Sequence, residues 1–159
     1  MQRPQAPAID GPSAQRRRSK TLATWIAGLF GCLGVHRWYL HGWRDRWAWL
    51  YPAPTLLGLW GAQRMSQFGQ DDRLAWLLVP ILGLMLSQAM LTAIVYGLTP
   101  DEKWDARFHA GRRVTRSGWP VVIGVILALM VGSAVLLGTI AFAGQRYFEI
   151  QVERSRSAT

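Results

Sequence analysis

The sequence predicts an all-α integral membrane protein with four transmembrane segments. Its apolar residues are concentrated in four runs: Thr21–Val35, Trp47–Ala62, Leu74–Leu98 and Pro120–Gly144. The last two contain 25 residues each and no charged side chain, which exceeds the roughly 20 apolar residues that a spanning helix needs. Helices of a water-soluble bundle carry a polar stripe, and neither run has one.

The first apolar run is short for a crossing, so we expect its helix to continue to about Tyr39. Arg37 would then extend its charged group back toward the membrane surface. A polar turn follows, in which Asp45 is expected to pair with Arg44 or Arg46. The sequence therefore predicts a helical hairpin whose two arms are joined by this turn.

The second apolar run, Trp47–Ala62, has two prolines near its start. Pro52 and Pro54 lack the backbone N–H that an interior helical turn requires. We therefore expect a kink or an irregular first turn at this point. Its 16 residues would span about 24 Å as a helix, which is less than a full crossing unless flanking residues join it.

The chain divides into four parts by composition. Residues 1–20 form a basic tail that is predicted to be disordered, and residues 21–65 form the helical hairpin. Residues 66–144 contain two further transmembrane helices, and residues 145–159 form a polar C-terminal tail that is expected to fray.

A short amphipathic helix is predicted near residues 100–110, between the third and fourth segments. Thr99 is placed to cap it, with Pro100 in its first position and Glu102 completing a capping box. Trp104 and Phe108 lie four residues apart and share one face. This pattern is typical of a helix that lies in the membrane interface.

Large aromatic residues flank the apolar runs, where their rings suit the headgroup region. The predicted interface anchors are Trp43, Trp47, Trp104, Phe108 and Trp119.

Small residues recur at helical spacing and favour close helix packing. Gly124, Ala128 and Gly132 repeat every four residues in the last segment, and Gly28 belongs to a similar face in the first. Such faces could pack within the chain, against a second copy or against another membrane protein. Gln88 is the most polar side chain of the third segment, and we interpret it as an interhelical contact rather than a substrate ligand.

The net charge of +9 does not indicate nucleic-acid binding, because the basic residues flank the apolar runs and no nucleic-acid motif is present. The single cysteine excludes an internal disulfide. Cys32, His36 and His41 would lack a fourth ligand for zinc. We therefore expect no cofactor, no metal site and no nucleic-acid partner. The sequence has no nucleophile–base pair or phosphate loop, so we expect no enzymatic activity.

A compact motif lies between the first two runs. It begins with Gly31 and Gly34 and continues through six residues that carry a resemblance to a known family: His36, Arg37, Trp38, Tyr39, Leu40 and Gly42. The motif and its flanks, roughly residues 20–65, resemble the TM-two domain family, in which His-Arg-Phe-Tyr-Leu-Gly follows a Gly-rich helix end. Trp38 stands in place of the Phe, and His41 precedes the glycine. The family's frequent acidic residue at the end of the second helix is absent. The resemblance implies a membrane location and a two-helix hairpin, and it implies no common enzymatic activity.

The distribution of basic residues and the family resemblance favour different topologies. Four crossings place 10 Lys and Arg on one side and 8 on the other, whereas three crossings place 13 against 5. We favour four, because the first two segments both look membrane-embedded. The expected function is that of a helix-packing or partner-organising component in the lipid bilayer, with a bacterial inner membrane as its location. The alternative is a small transporter or channel subunit, in which Gln88 and the kinked second segment would line a path.

Overall fold

The computed structural model describes residues 18–69, 72–109 and 115–157, and every regular element in these ranges is helical. The predicted disorder of the N-terminal tail therefore falls almost entirely outside the described residues. There are six α-helices in the described ranges: α1 (Lys20–Phe30), α2 (Val35–His41), α3 (Pro52–Phe68), α4 (Arg73–Leu98), α5 (Asp101–Phe108) and α6 (Trp119–Ser157).

Helices α4 and α6 form a long antiparallel pair. Gly97 packs against Val125 near one end of the pair, and Gly132 faces Met90 further along. With 26 and 39 residues, both exceed the length of about 20 residues that a crossing requires. Both are apolar enough to cross a membrane, as the sequence predicts for these two segments.

Helix α6 does not end where its apolar run ends. The helix continues through the predicted C-terminal tail to Ser157, so this part is not frayed. Arg146 lies beside Trp76 near the start of α4. The last eleven residues of α6 therefore extend about 16 Å beyond that point.

The first apolar run does not form one continuous helix, which corrects the expectation that it continues to Tyr39. Helix α1 ends at Phe30, a 3₁₀ turn covers Gly31–Leu33, and Gly34 has a φ of 78°. This left-handed conformation is strained for residues with a side chain. The chain reverses there, because α2 returns along α1 until the Tyr39 hydroxyl accepts a hydrogen bond from the Ser19 amide at 3.0 Å.

Helix α3 begins with the two prolines, and they do not kink it. The run does start irregularly, because a 3₁₀ turn at Ala48–Leu50 precedes the helix. Pro52 occupies the first helical position and Pro54 lies in the same turn, where backbone N–H groups have no partner within the helix. The helix then packs closely on α4. A Cβ at Gly58 would lie 2.5 Å from the Cβ of Leu82, and one at Gly61 would collide with Leu78.

Helices α1 and α3 lie one after the other along the same neighbour, α4. Gly28 faces Ala93 and Gly31 faces Ala89, in the second half of α4, whereas α3 covers the first half. The lengths of 11 and 17 residues together come within two residues of the 26 of α4. We call α1 and α3 the broken pair, since residues 31–51 leave the line of the two helices between them.

Helix α5 is held against the bundle. Thr99 does not cap it, because its hydroxyl donates backward to the carbonyl of Val95 at 2.6 Å, and the helix begins at Asp101 with Pro100 before it. The predicted end at Gly111 lies outside the described residues. Trp104 is only 2% exposed and packs with Ala23 and Leu40. Its placement as a lipid-facing anchor is therefore wrong.

Candidate functional site

The motif residues Gly31, Gly34, His36 and Arg37 lie where the broken pair is interrupted. Tyr39 and Leu40 lie instead near the start of α1, against Ser19 and Trp104. Thr55 of α3 closes the gap, because its hydroxyl donates to the carbonyl of Cys32 at 2.6 Å. Gly34 allows the close approach of the following segment, since a Cβ there would lie 2.6 Å from the carbonyl oxygen of Ala48. We call this region the junction.

His36 is the most enclosed polar group of the junction. Its ring is 2% exposed and lies edge-on to Tyr51, with 5.6 Å between the ring centroids. Tyr96 covers another side at 5.9 Å. The Nδ1 atom of His36 has no hydrogen-bond partner among the described residues. The imidazole therefore acts here as a packed ring between two tyrosines.

Arg37 begins a polar chain that runs along the junction. Its Nε donates to the carboxylate of Asp45 at 2.8 Å, and its guanidinium also meets the hydroxyl of Tyr51. Tyr51 in turn accepts from the side-chain amide of Gln88 at 3.0 Å. The expected pairing of Asp45 with Arg44 or Arg46 is wrong. The hydrogen bond from Arg37 lowers the pKa of the Asp45 carboxyl, and the backbone amide of Trp47 assists it.

A second polar cluster lies where α1, α5 and α6 begin, and sequence reasoning did not identify it. Lys20 is 4% exposed, and its ammonium lies 2.8 Å from the carboxylate of Asp101. The same ammonium lies 2.6 Å from the hydroxyl of Ser117, which itself donates to Asp101. Burial opposes ionisation of Asp101, but the hydrogen bonds from Lys20 and Ser117 outweigh it and lower the pKa of the carboxyl.

Asp105 extends this cluster one helical turn further. The carboxylate is 2% exposed and accepts from the backbone amide of Thr115 at 3.1 Å and from its hydroxyl. Nδ1 of His109 lies 2.7 Å away. The indole of Trp104 donates to the carbonyl of Arg18 at 3.0 Å. We call these groups the polar layer, because they join the start of α1 to both ends of the 99–118 segment.

A signal for the polar layer was available in the sequence. Under three crossings, the N-terminal tail and the 99–118 segment lie on one side of the membrane. Lys20 and Asp101 then flank apolar runs at the same level, where opposite charges can pair. The preference for four crossings placed these two residues on opposite sides, and so concealed the pair.

The other predicted site residues lie in two environments. Trp43, Trp47 and Trp119 are exposed, and Trp43 stacks on Trp38 with 5.3 Å between centroids. Phe108 is half-buried against Trp104. The small residues of α6 face the interior of the chain: Gly124 lies against Thr24 and Trp25, Ala128 packs with Ala27 and Ala93, and Gly132 lies against Met90.

In the described ranges, no three side chains of His, Cys, Asp or Glu converge as a metal site would require. The junction and the polar layer consist of hydrogen bonds and ion pairs between helices. Their chemistry fixes the positions of helix ends. Comparison of the chain with protein-family models, with curated proteins and with solved structures gives no match.

Proposed function

We propose that this chain is a non-enzymatic, multi-pass membrane protein that packs with or organises a membrane partner. One observation carries the proposal. Only 17% of the residues in the most apolar window of α4, and the same share in α6, are buried within the chain. The core helix of a soluble protein would be mostly covered, and apolar surface of this extent is typical of contact with lipid or with another membrane protein.

The broken pair supports three crossings rather than the four that the sequence analysis expects. Helix α1 alone would span about 16 Å, roughly half of the hydrocarbon core. Together with α3 it matches α4 in length. In this arrangement α1 and α3 form one discontinuous crossing, and α4 and α6 form the other two.

The basic residues agree with this arrangement. Three parts of the chain share one side in this topology: the N-terminal tail, residues 31–51 between α1 and α3, and the 99–118 segment. They carry 13 of the 18 Lys and Arg residues. Basic residues concentrate on the cytoplasmic side of membrane proteins. We therefore propose that this side is cytoplasmic and that the C-terminal part of α6 lies opposite.

The hairpin of the TM-two family remains a proposal under this topology. Helices α1 and α2 do form a tight reversal at the motif, with Gly34 at its turn. The reversal lies within one half of the bundle, since α2 has only seven residues. The family motif would then mark the junction of a discontinuous crossing.

The partner-organising role is favoured over transport by the position of Gln88. Its amide is engaged by the hydroxyl of Tyr51, so it connects α4 to the start of α3. Replacement of Gln88 with Leu is expected to weaken the fold in detergent. Loss of solute flux with an unchanged fold would instead favour a transporter.

Labelling of single cysteines from each side of the membrane tests the topology. On a Cys32→Ala background, cysteines are placed at Ser13, Ser66, Arg116 and Ser157, one variant at a time. Three crossings expose Ser13 and Arg116 on one side, and Ser66 and Ser157 on the other. Four crossings would place Arg116 opposite Ser13, with Ser66 on the side of Ser13. Release of the chain from membranes by alkaline carbonate would reject a membrane protein altogether.

A further inference from the structure

A wide cleft lies between the first turns of α4 and the part of α6 that follows its apolar run. Its volume is about 870 Å³, which is within the usual range for ligand pockets of about 300–1,000 Å³. The cleft lies at the end of the bundle that is opposite the polar layer. The side chains that line it are Arg73, Trp76, Leu77, Pro80, Ala143, Arg146, Tyr147, Ile150, Glu153 and Arg154.

The lining changes character along the bundle. Leu77, Pro80 and Ala143 belong to the apolar runs of α4 and α6 and lie at the depth of the hydrocarbon. Arg73 directly precedes the apolar run of α4, and Arg154 lies in the last turn of α6, so both are outside the apolar runs. The cleft therefore presents an apolar floor inside the membrane and a charged rim at its surface.

The charge of the rim is positive. Arg73, Arg146 and Arg154 contribute three guanidinium groups, against the carboxylates of Glu149 and Glu153. Arg146 is held in place, because it pairs with Glu149 at 2.5 Å and lies over the Trp76 ring at 4.7 Å from its centroid. Planar guanidinium groups bind phosphate oxygens in a bidentate manner.

We propose that this cleft binds a phospholipid with an anionic headgroup. Arg73 and Arg154 bind the phosphate, Trp76 lies at the level of the glycerol backbone, and an acyl chain lies on Leu77 and Pro80. The proposal rests on the membrane location proposed above. It adds to that location one site that selects lipids with an anionic headgroup.

Native mass spectrometry of the full chain, released from nanodiscs, tests the site. Phosphatidylglycerol and phosphatidylcholine are supplied in turn, and the dissociation constant of the first bound lipid is measured for each. We expect phosphatidylglycerol to bind at least about tenfold more tightly. The double variant R73Q/R154Q, which removes two exposed arginines from the cleft, should lose this preference.

The matched control is R44Q/R46Q, which removes two exposed arginines from the other side of the molecule. It should retain the preference for phosphatidylglycerol. Equal binding of the two lipids by the unaltered chain would overturn the proposal, as would an equal loss in both double variants. Displacement of the lipid by inorganic phosphate alone would identify a free-anion site and would also overturn it.

A third variant tests the apolar floor. Ala143→Trp places a large ring in the cleft while all its charges remain, and it should weaken lipid binding by at least about tenfold. Unchanged binding would place the lipid elsewhere. Failure of the chain to enter nanodiscs would contradict the proposed membrane location, whereas normal incorporation without a headgroup preference would contradict the lipid site alone.

Discussion

The two helices of the broken pair contact the same helix, α4, in different ways. Helix α1 rests on it through small residues such as Ala27, which packs with Ala93, and is also fixed at its start by the ion pair of Lys20. Helix α3 contacts α4 chiefly through Gly58 and Gly61, which bring the two backbones close together. Helix α1 combines close packing with the buried charge of Lys20. Helix α3 depends chiefly on shape, because the arginine of its ion pair to the start of α4, Arg64 with Asp72, is 26% exposed.

The difference shows how helices with little polar surface can obtain a fixed position. Between apolar helices in lipid, association depends on van der Waals contact, and small residues permit it. Such contact holds two helices together, but it opposes only weakly the sliding of one helix along the other. Hydrogen bonds and ion pairs have directional geometry, so the polar layer sets the register of α1 against α5 and α6.

The largest loss of stability is expected from Gly58→Ala in helix α3. The new Cβ would meet the backbone nitrogen and Cα of Leu82 at 2.7 and 2.8 Å, and backbone atoms cannot rotate away. Overpacking of this kind costs about 1–3 kcal/mol, and we expect the upper part of that range. Reversible unfolding in mixed micelles measures the free energy of unfolding.

Gly138→Ala is the matched control, because nothing lies within 4 Å of a Cβ at that position in α6. It should leave stability unchanged or raise it slightly, since alanine favours the helix over glycine. Equal losses in both variants would show that close approach of α3 to α4 is not what Gly58 provides.

A smaller loss of stability, about 2 kcal/mol, is expected from Asp101→Ala, which removes the partner of Lys20 at the start of α1. Removing one partner of a buried pair costs about 3–5 kcal/mol, and the 32% exposure of Asp101 reduces this. Lys20 would remain buried with only the hydroxyl of Ser117 as partner. Thermal unfolding in detergent should show the loss. Asp72→Asn removes the charge that pairs with Arg64 but keeps a side-chain oxygen to cap α4. It should cost less, because the cation left unpaired, Arg64, is 26% exposed whereas Lys20 is 4% exposed.

The smallest expected change in stability comes from protonation of Asp101 at low pH. Because the pKa of Asp101 is lowered in the folded chain, its contribution is complete above the ordinary value of 3.8 and is lost as the pH falls below it. Protonated Asp101 can still hydrogen-bond Ser117, so the loss is smaller than in the alanine variant. The difference in melting temperature between the unaltered chain and Asp101→Ala should be constant above pH 5 and shrink toward pH 3. A constant difference over the whole range would contradict the assignment.

The sequence predicted the helical class and both long helices because length and hydropathy alone determine them. The run Leu74–Leu98 corresponds to α4 within one residue. Hydropathy could not reveal the reversal at Gly34, because the polar residues His36 and Arg37 that follow it also suit the end of a straight membrane helix. The change there is in one backbone angle, and glycine permits that angle without requiring it.

The candidate sites were predicted less completely for a related reason. The motif was identified from residue types, and its residues from Gly31 to Arg37 do lie at the junction, but the partners of Asp45 and Asp101 were not the nearest charged groups along the chain. Asp45 lies eight residues from Arg37, and Lys20 lies 81 residues from Asp101. Pairs of this kind form only where two helix ends lie side by side in the bundle. The periodicity of the sequence does not show which ends do so.

Under the membrane topology proposed above, the brevity of α1 has a consequence for the synthesis of the protein. Eleven residues present too little apolar length to enter the bilayer as an independent helix when they leave the ribosome. Helix α4, the first segment able to insert by itself, is made only after residues 31–72 have been added. The insertion machinery therefore meets α4 before α1 has a surface to bind. The discontinuous crossing would then form afterwards, when α1 and α3 pack against α4.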